Sequence, residues 1–187
     1  MKLPDLDSLS IVHYPNPVLR KRCARVTEFG PELTAFTDRM LVMMKEGGGV
    51  GLAAPQVGVP LRLFVCNPTG EPGDDMVCIN PEFVELTGAE EKEEGCLSLP
   101  GIGVTMRRAT QAVMSVADVD GRPKNVAGEG LLARIWQHES DHLDGRLITD
   151  NMSATDEIAN RRAVKQLEAD YEASRRRGQK SRCASSS

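Results

Sequence analysis

The amino-acid sequence predicts a single α+β domain with a helical C-terminus, on three observations. At 187 residues the chain is near the usual size of one domain. Its composition, 40% hydrophobic and 27% charged, is that of an ordinary globular protein. Apolar residues recur at helical spacing towards both ends, whereas runs rich in apolar and β-branched residues fill the middle. Aromatics make up only 4%, so Leu, Val, Ile, Met and Ala must supply most of the core.

The elements can be taken in order. Pro4, Pro15 and Pro17 break the first thirty residues into turns, with a short helix expected around Leu19. A longer helix begins at Pro31, because proline suits the first helical position, and Leu33, Phe36, Met40, Met43 and Met44 follow at helical spacing. Gly47, Gly48 and Gly49 end it, since glycine accepts a left-handed backbone. Strands are expected over 61–66, 76–86 and 112–119, separated by turn-forming clusters such as Asn67-Pro68-Thr69-Gly70 and Asp120-Gly121. From Leu131 the spacing is helical again, through Leu132, Ile135 and Trp136 to His142, with Gly145 as the stop. Helix-forming residues return after Ser153 and fade into RRRGQKSRCASSS, expected to be disordered at its end. The domain is therefore drawn over 1–172 and a basic tail over 173–187.

Charge and cysteine usage exclude several classes of function. A net charge of −4 argues against a body built mainly to grip nucleic acid, DNA included. Five cysteines at wide spacing, without a CxxC pair, make a poor disulfide framework and suit a reducing compartment. Cys66 and Cys78, inside strand-like runs, read as small buried hydrophobes, and Cys183 as exposed. The first residues carry no continuous apolar segment of the secretory kind, and no run approaches the roughly 18 apolar residues of a membrane span. A cytoplasmic protein without membrane partners is expected.

Three segments carry chemistry. In HESDH, residues 138–142, His138 and His142 stand four apart, so on a helix both imidazoles can reach one metal ion. Glu139 lies beside them, within reach of a water on that metal. The plainer alternative is two histidines at a coincidental spacing, although the chain has only three in all. A catalytic site needs a third protein ligand and an open position. No histidine follows His142, while Cys96, in EGCLSLP, offers a thiolate well suited to a borderline-soft ion. The third segment, GGGVGLAAPQ at 47–56, lacks the Lys-Ser/Thr ending of a phosphate-binding loop. Its glycines instead let the backbone come close to a partner, with the Gln56 amide pointing at it, or they simply end a helix.

Taken together and in order, these segments resemble the peptide deformylases. The marks of that family are GxGLAAxQ, EGCxS and HExDH, which stand here as residues 49–56, 94–98 and 138–142. Pro15-Asn16-Pro17-Val18-Leu19-Arg20 is similar as well, and the likeness covers about residues 10–155, closest to the shorter bacterial type. The resemblance implies antiparallel sheets packed around a central helix that bears HESDH. It implies Cys96, His138 and His142 as metal ligands and Glu139 as general acid/base. Gln56 and the backbone N–H of Leu97 would hold the oxyanion, and Val50 and Gly51 would border the substrate. The working ion would be Fe²⁺, with Zn²⁺, Ni²⁺ or Co²⁺ able to replace it. The substrate would be the N-formyl-methionyl end of nascent proteins, with formate released. Glu94 and Asp141 could each receive an N–H from a ligand histidine or orient an arginine.

Two positions depart from the commoner pattern of the family. Family members often place an arginine where Gly103 falls and a proline just before the position of Arg108, so contacts on the substrate side differ here, and no catalytic role is assigned to Arg107 or Arg108. Two rival readings compete. A zinc endopeptidase lacks its downstream third ligand here. A non-catalytic metal-holding relative would have lost Glu139 or Gln56, and both are present. The basic residues after Ala173, namely Arg175, Arg176, Arg177, Lys180 and Arg182, suggest weak contact with the ribosome, or else nothing more than a solvated end.

Overall fold

A computed structural model describes the backbone of residues 3–184 and the side chains of 3–177. Helix α1 spans Pro31–Glu46. Strands β1 (Gly51–Ala53), β2 (Leu63–Cys66) and β3 (Met76–Thr87) follow. A hairpin of β4 (Glu90–Glu94) and β5 (Val104–Arg108) comes next, then β6 (Gln111–Ala117) and β7 (Pro123–Glu129). Helix α2 spans Gly130–Leu143 and α3 spans Ala154–Ala184. The main sheet is antiparallel with strand order β1-β2-β3-β6-β7, and β4 and β5 form a second, two-stranded sheet.

The α+β expectation holds, and the reason is visible in β2. Its four residues Leu63, Phe64, Val65 and Cys66 are all buried, because this strand is covered on both faces. Alternation sends Leu63 and Val65 into one cluster with Leu33, Phe36, Met40 and Met44 of α1. It sends Phe64 and Cys66 into the other, with Ala133, Ile135 and Trp136 of α2. The sheet thus separates the two helices, and α2 lies in the middle of the molecule. A third cluster joins Val104 and Met106 of β5 to Leu19, Leu99, Leu147 and Leu167, and so docks the first half of α3.

The two proposed helix stops act as glycines must. Gly48, just past α1, takes φ +69°, and Gly145, just past α2, takes φ +73°, a region that favours glycine. At Gly145 a Cβ would also meet the Arg20 carbonyl oxygen at 2.6 Å. Cys23, Cys66 and Cys78 are buried free thiols, whereas Cys183 lies outside the residues whose side chains are described. Among the described residues no helix is long and apolar enough to cross a membrane.

Several boundaries differ from the sequence-based expectation. The strand expected over 61–66 begins at Leu63, because Leu61 makes only an isolated parallel bridge to Ala24. Val119 belongs to the turn after β6, where Gly121 N–H donates to Asp118 O. Helix α3 runs on as far as Ala184, and the end of the tail, expected to be disordered, falls in residues 185–187, outside the described part. Arg, Glu and Ala are good helix formers, and Glu172 pairs with Arg176 one turn on while Arg175 stands over the Tyr171 ring.

Candidate metal centre and active site

Helix α2 is amphipathic in a way that fixes the site. Ala133, Ile135 and Trp136 are anchored against the sheet, which leaves His138 and His142, one turn apart, facing the turn that follows β4. Their ring centroids are 5.1 Å apart. Cys96 comes from that turn, which is closed by Leu99 N–H donating to Cys96 O at 2.9 Å and pinned by the fully buried Leu99. Cys96 Sγ stands 3.2 Å from His142 Nε2. One ligand atom from each of Cys96, His138 and His142 lies within 4.8 Å of the others. The three residues expected to hold a metal are therefore brought together.

The electrostatics suit a cation. Burial works against a charge on His138, but hydrogen bonds with Cys96 and Glu94 outweigh it and push the imidazole up to about 10. His142 goes the other way: burial, then the neighbouring His138 and Arg108, hold it well below the usual range. One histidine thus sits in surroundings that favour positive charge and the other offers a neutral lone pair. A soft thiolate with two imidazoles is a donor set that fits a divalent transition ion.

Glu139 is buried, and its Oε2 has no hydrogen-bond partner among the described residues. Burial pushes its carboxyl up to about 7, so it can take and return a proton near neutrality. Gly51 lies directly against it. A Cβ there would meet Glu139 Oε1 at 2.3 Å and Ile135 Cγ2 at 2.9 Å, so this position accepts only glycine without displacing the carboxylate.

Gln56 sits in a short turn, Ala54–Val57, after β1. Its Oε1 accepts from Ala53 N–H at 2.8 Å, which turns Nε2 towards Cys96 Sγ at 3.4 Å and Ser98 Oγ at 3.3 Å. The amide is oriented with its donor end facing the Cys96 sulfur. Leu97 lines the same cavity, and its backbone N–H forms no hydrogen bond among the described residues. The cavity, about 410 Å³, is also lined by Val50, Gly51, Leu131, Ile135, His138 and Glu139. That volume suits a small ligand or a peptide end.

Glu94 and Asp141 both have the partners considered for them. Glu94 Oε2 lies 2.9 Å from His138 Nδ1 and accepts from Arg108 Nη2 at 3.0 Å, while Oε1 accepts from Arg108 Nε at 3.0 Å. Burial would raise the Glu94 carboxyl, but the hydrogen bonds from His138 and Arg108 hold it at about 2. Asp141 binds Arg108 Nη1 and, at 2.9 Å, Arg146. Gly103 leaves its space to Glu93, whose Oε1 would be 2.2 Å from a Cβ there. Sequence reasoning missed Arg134, which donates to Glu94 Oε1 at 2.7 Å, and Ser98, which touches Gln56. The signal for Arg134 was present: a lone arginine four residues before His138, inside an apolar helical run.

A buried carboxylate beside a Cys-His-His cluster, open to a cavity, defines the class of metal-dependent hydrolases. Comparison with known proteins narrows this. The family model described as polypeptide deformylase matches residues 8–157. A peptide deformylase of Acidobacterium capsulatum is 44% identical over 146 residues, which is 77% of this chain and 86% of the relative. The solved peptide deformylase of Plasmodium falciparum superposes with a TM-score of 0.85 at 36% identity, covering 88% of this chain and 98% of that one. That of Thermotoga maritima gives 0.74 at 40% identity, covering 78% and 97%. The chain belongs to the polypeptide deformylase family, whose function is the metal-dependent removal of N-formyl groups from nascent peptides.

Proposed function

We propose that Cys96, His138 and His142 hold one divalent ion and that Glu139, Gln56 and Leu97 carry the deformylation of N-formyl-methionyl peptides. The observation that carries this reading is the convergence of the three ligand atoms, within 4.8 Å, beside the buried Glu139. When bound, the ion supplies Lewis acidity to the attacking water and the formyl carbonyl. The Glu139 carboxylate takes a proton from that water as its oxygen bonds to the formyl carbon. Charge then builds on the formyl oxygen, where Gln56 Nε2 and the Leu97 N–H donate. Glu139 passes its proton to the amine nitrogen, the C–N bond breaks, and formate and a free methionine N-terminus leave. Val50 and Gly51 flank the peptide, and Gly51 lets its backbone come close to Glu139.

Fe²⁺ is the ion we assign to the working enzyme on the family resemblance, and the softness of the donor set admits Zn²⁺, Ni²⁺ or Co²⁺ in its place. The test is metal removal: chelation is expected to abolish turnover of a formyl-Met peptide, and added Ni²⁺ or Co²⁺ to restore it. Full turnover by metal-free protein would refute the reading. We place the enzyme in the cytoplasm, in keeping with its buried free thiols.

The residues from Ala173, an appendage to a catalytic domain of 1–172, are proposed to make a weak, salt-sensitive ribosome contact. Arg175, Arg176 and Arg177 are exposed on α3, a disposition that suits phosphate contacts. Truncation after Glu172 should leave turnover of a short peptide unchanged while reducing co-sedimentation with ribosomes at low salt. Equal co-sedimentation would remove the proposal.

A further inference from the structure

The three ligands proposed above come from two separate pieces of chain. Cys96 stands on the turn after β4, whereas His138 and His142 stand on α2. An arginine of α2 spans the gap. Arg134 lies one helical turn before His138, and its side chain is only 10% exposed. Its Nη1 donates to Glu94 Oε1 at 2.7 Å and to Met106 O at 3.1 Å, and its Nη2 donates to Glu90 O at 2.8 Å.

One guanidinium therefore touches β4, β5 and the carboxylate whose other oxygen meets His138 Nδ1. Arg108 also binds Glu94, but it belongs to β5 and meets carboxylates, including Asp141 of α2. Arg134 adds backbone carbonyls on both strands of the hairpin, so it sets the position of the strands themselves as well as of one side chain. A buried cation is costly unless its donors are used, and a planar fork with several fixed donors can serve three acceptors at once. Cys96 is two residues beyond Glu94, so a shift of β4 moves its sulfur relative to both histidines.

We propose that Arg134 is a positioning residue: it holds the Cys96 turn at the distance from α2 that one metal ion requires, and it aims Glu94 at His138. This rests on the reading of Cys96, His138 and His142 as ligands, and the test separates the two claims. The full chain and its Arg134→Met and Arg134→Lys variants would be loaded with Co²⁺. Affinity is then measured by competition with a chelator, the coordination by the absorption of the thiolate-bound ion, and turnover at saturating metal.

Lysine keeps the charge but presents a single ammonium point in place of the fork. The expected result is affinity roughly 10–100-fold weaker in Arg134→Met, the usual effect of losing a group behind a ligand. Arg134→Lys should fall between, with an altered Co²⁺ spectrum, and kcat should fall with KM nearly unchanged. Wild-type affinity and spectrum in either folded variant would overturn the proposal, as would a rise confined to KM, which would make Arg134 a substrate contact. Absence of a thiolate-to-metal band in the unmodified chain would instead overturn the ligand reading.

Discussion

Replacing Gln56 with Leu is expected to lower kcat by roughly 10²–10³-fold, the range for loss of one donor to a developing oxyanion. The size follows from how the amide is held. Its oxygen is committed to the Ala53 N–H, so its nitrogen is already held on the side of Cys96 and Ser98 before substrate arrives. A donor fixed in advance stabilises charge without reorganisation, so its loss should appear in kcat. A rise in KM alone, with kcat preserved, would show uniform binding and remove the oxyanion role. Steady-state kinetics on a formyl-Met peptide distinguishes the two outcomes.

Glu139→Gln is expected to lower kcat by about 10²-fold or more, the usual contribution of a positioned acid–base group. The amide is nearly the same shape, and Glu139 supplies none of the three convergent ligand atoms. Metal content should therefore be retained while the proton transfers are lost. Near-normal turnover in the variant would contradict the assignment, and metal loss would make Glu139 a ligand. The two variants together separate proton transfer from charge stabilisation, because Gln56 comes from the turn after β1 and Glu139 from α2.

Elements whose signal is local were legible in the sequence. Pro31 and the glycines after Glu46 bracket α1, and apolar periodicity with Gly145 brackets α2. HESDH was legible because helical spacing alone brings its histidines to one side. Where pairing partners lie far apart, the signal weakened. β4 is EEKEE, five charged residues that give no strand pattern, and it forms because β5 pairs with it in register. The clue was in β5, where Val104, Met106 and Arg108 are buried and Thr105 and Arg107 exposed. β7 begins at a proline and pairs only with β6, so its burial is shallow and its sequence reads as a loop. Composition could not show Glu94 gripped by Arg108, Arg134 and His138, because those contacts join residues 14 to 44 positions apart.

The Cys96-His138-His142 centre with Glu139 is expected to cleave a formyl C–N bond and not an internal peptide bond. The most direct measurement follows a metal-loaded sample acting on a formyl-Met tripeptide, with formate assayed and the peptide product identified by mass. One formate should be released for each peptide consumed, with the free-amine tripeptide left intact. Shorter peptides without formate, as an endopeptidase would give, or an unchanged substrate from metal-loaded protein, would contradict it.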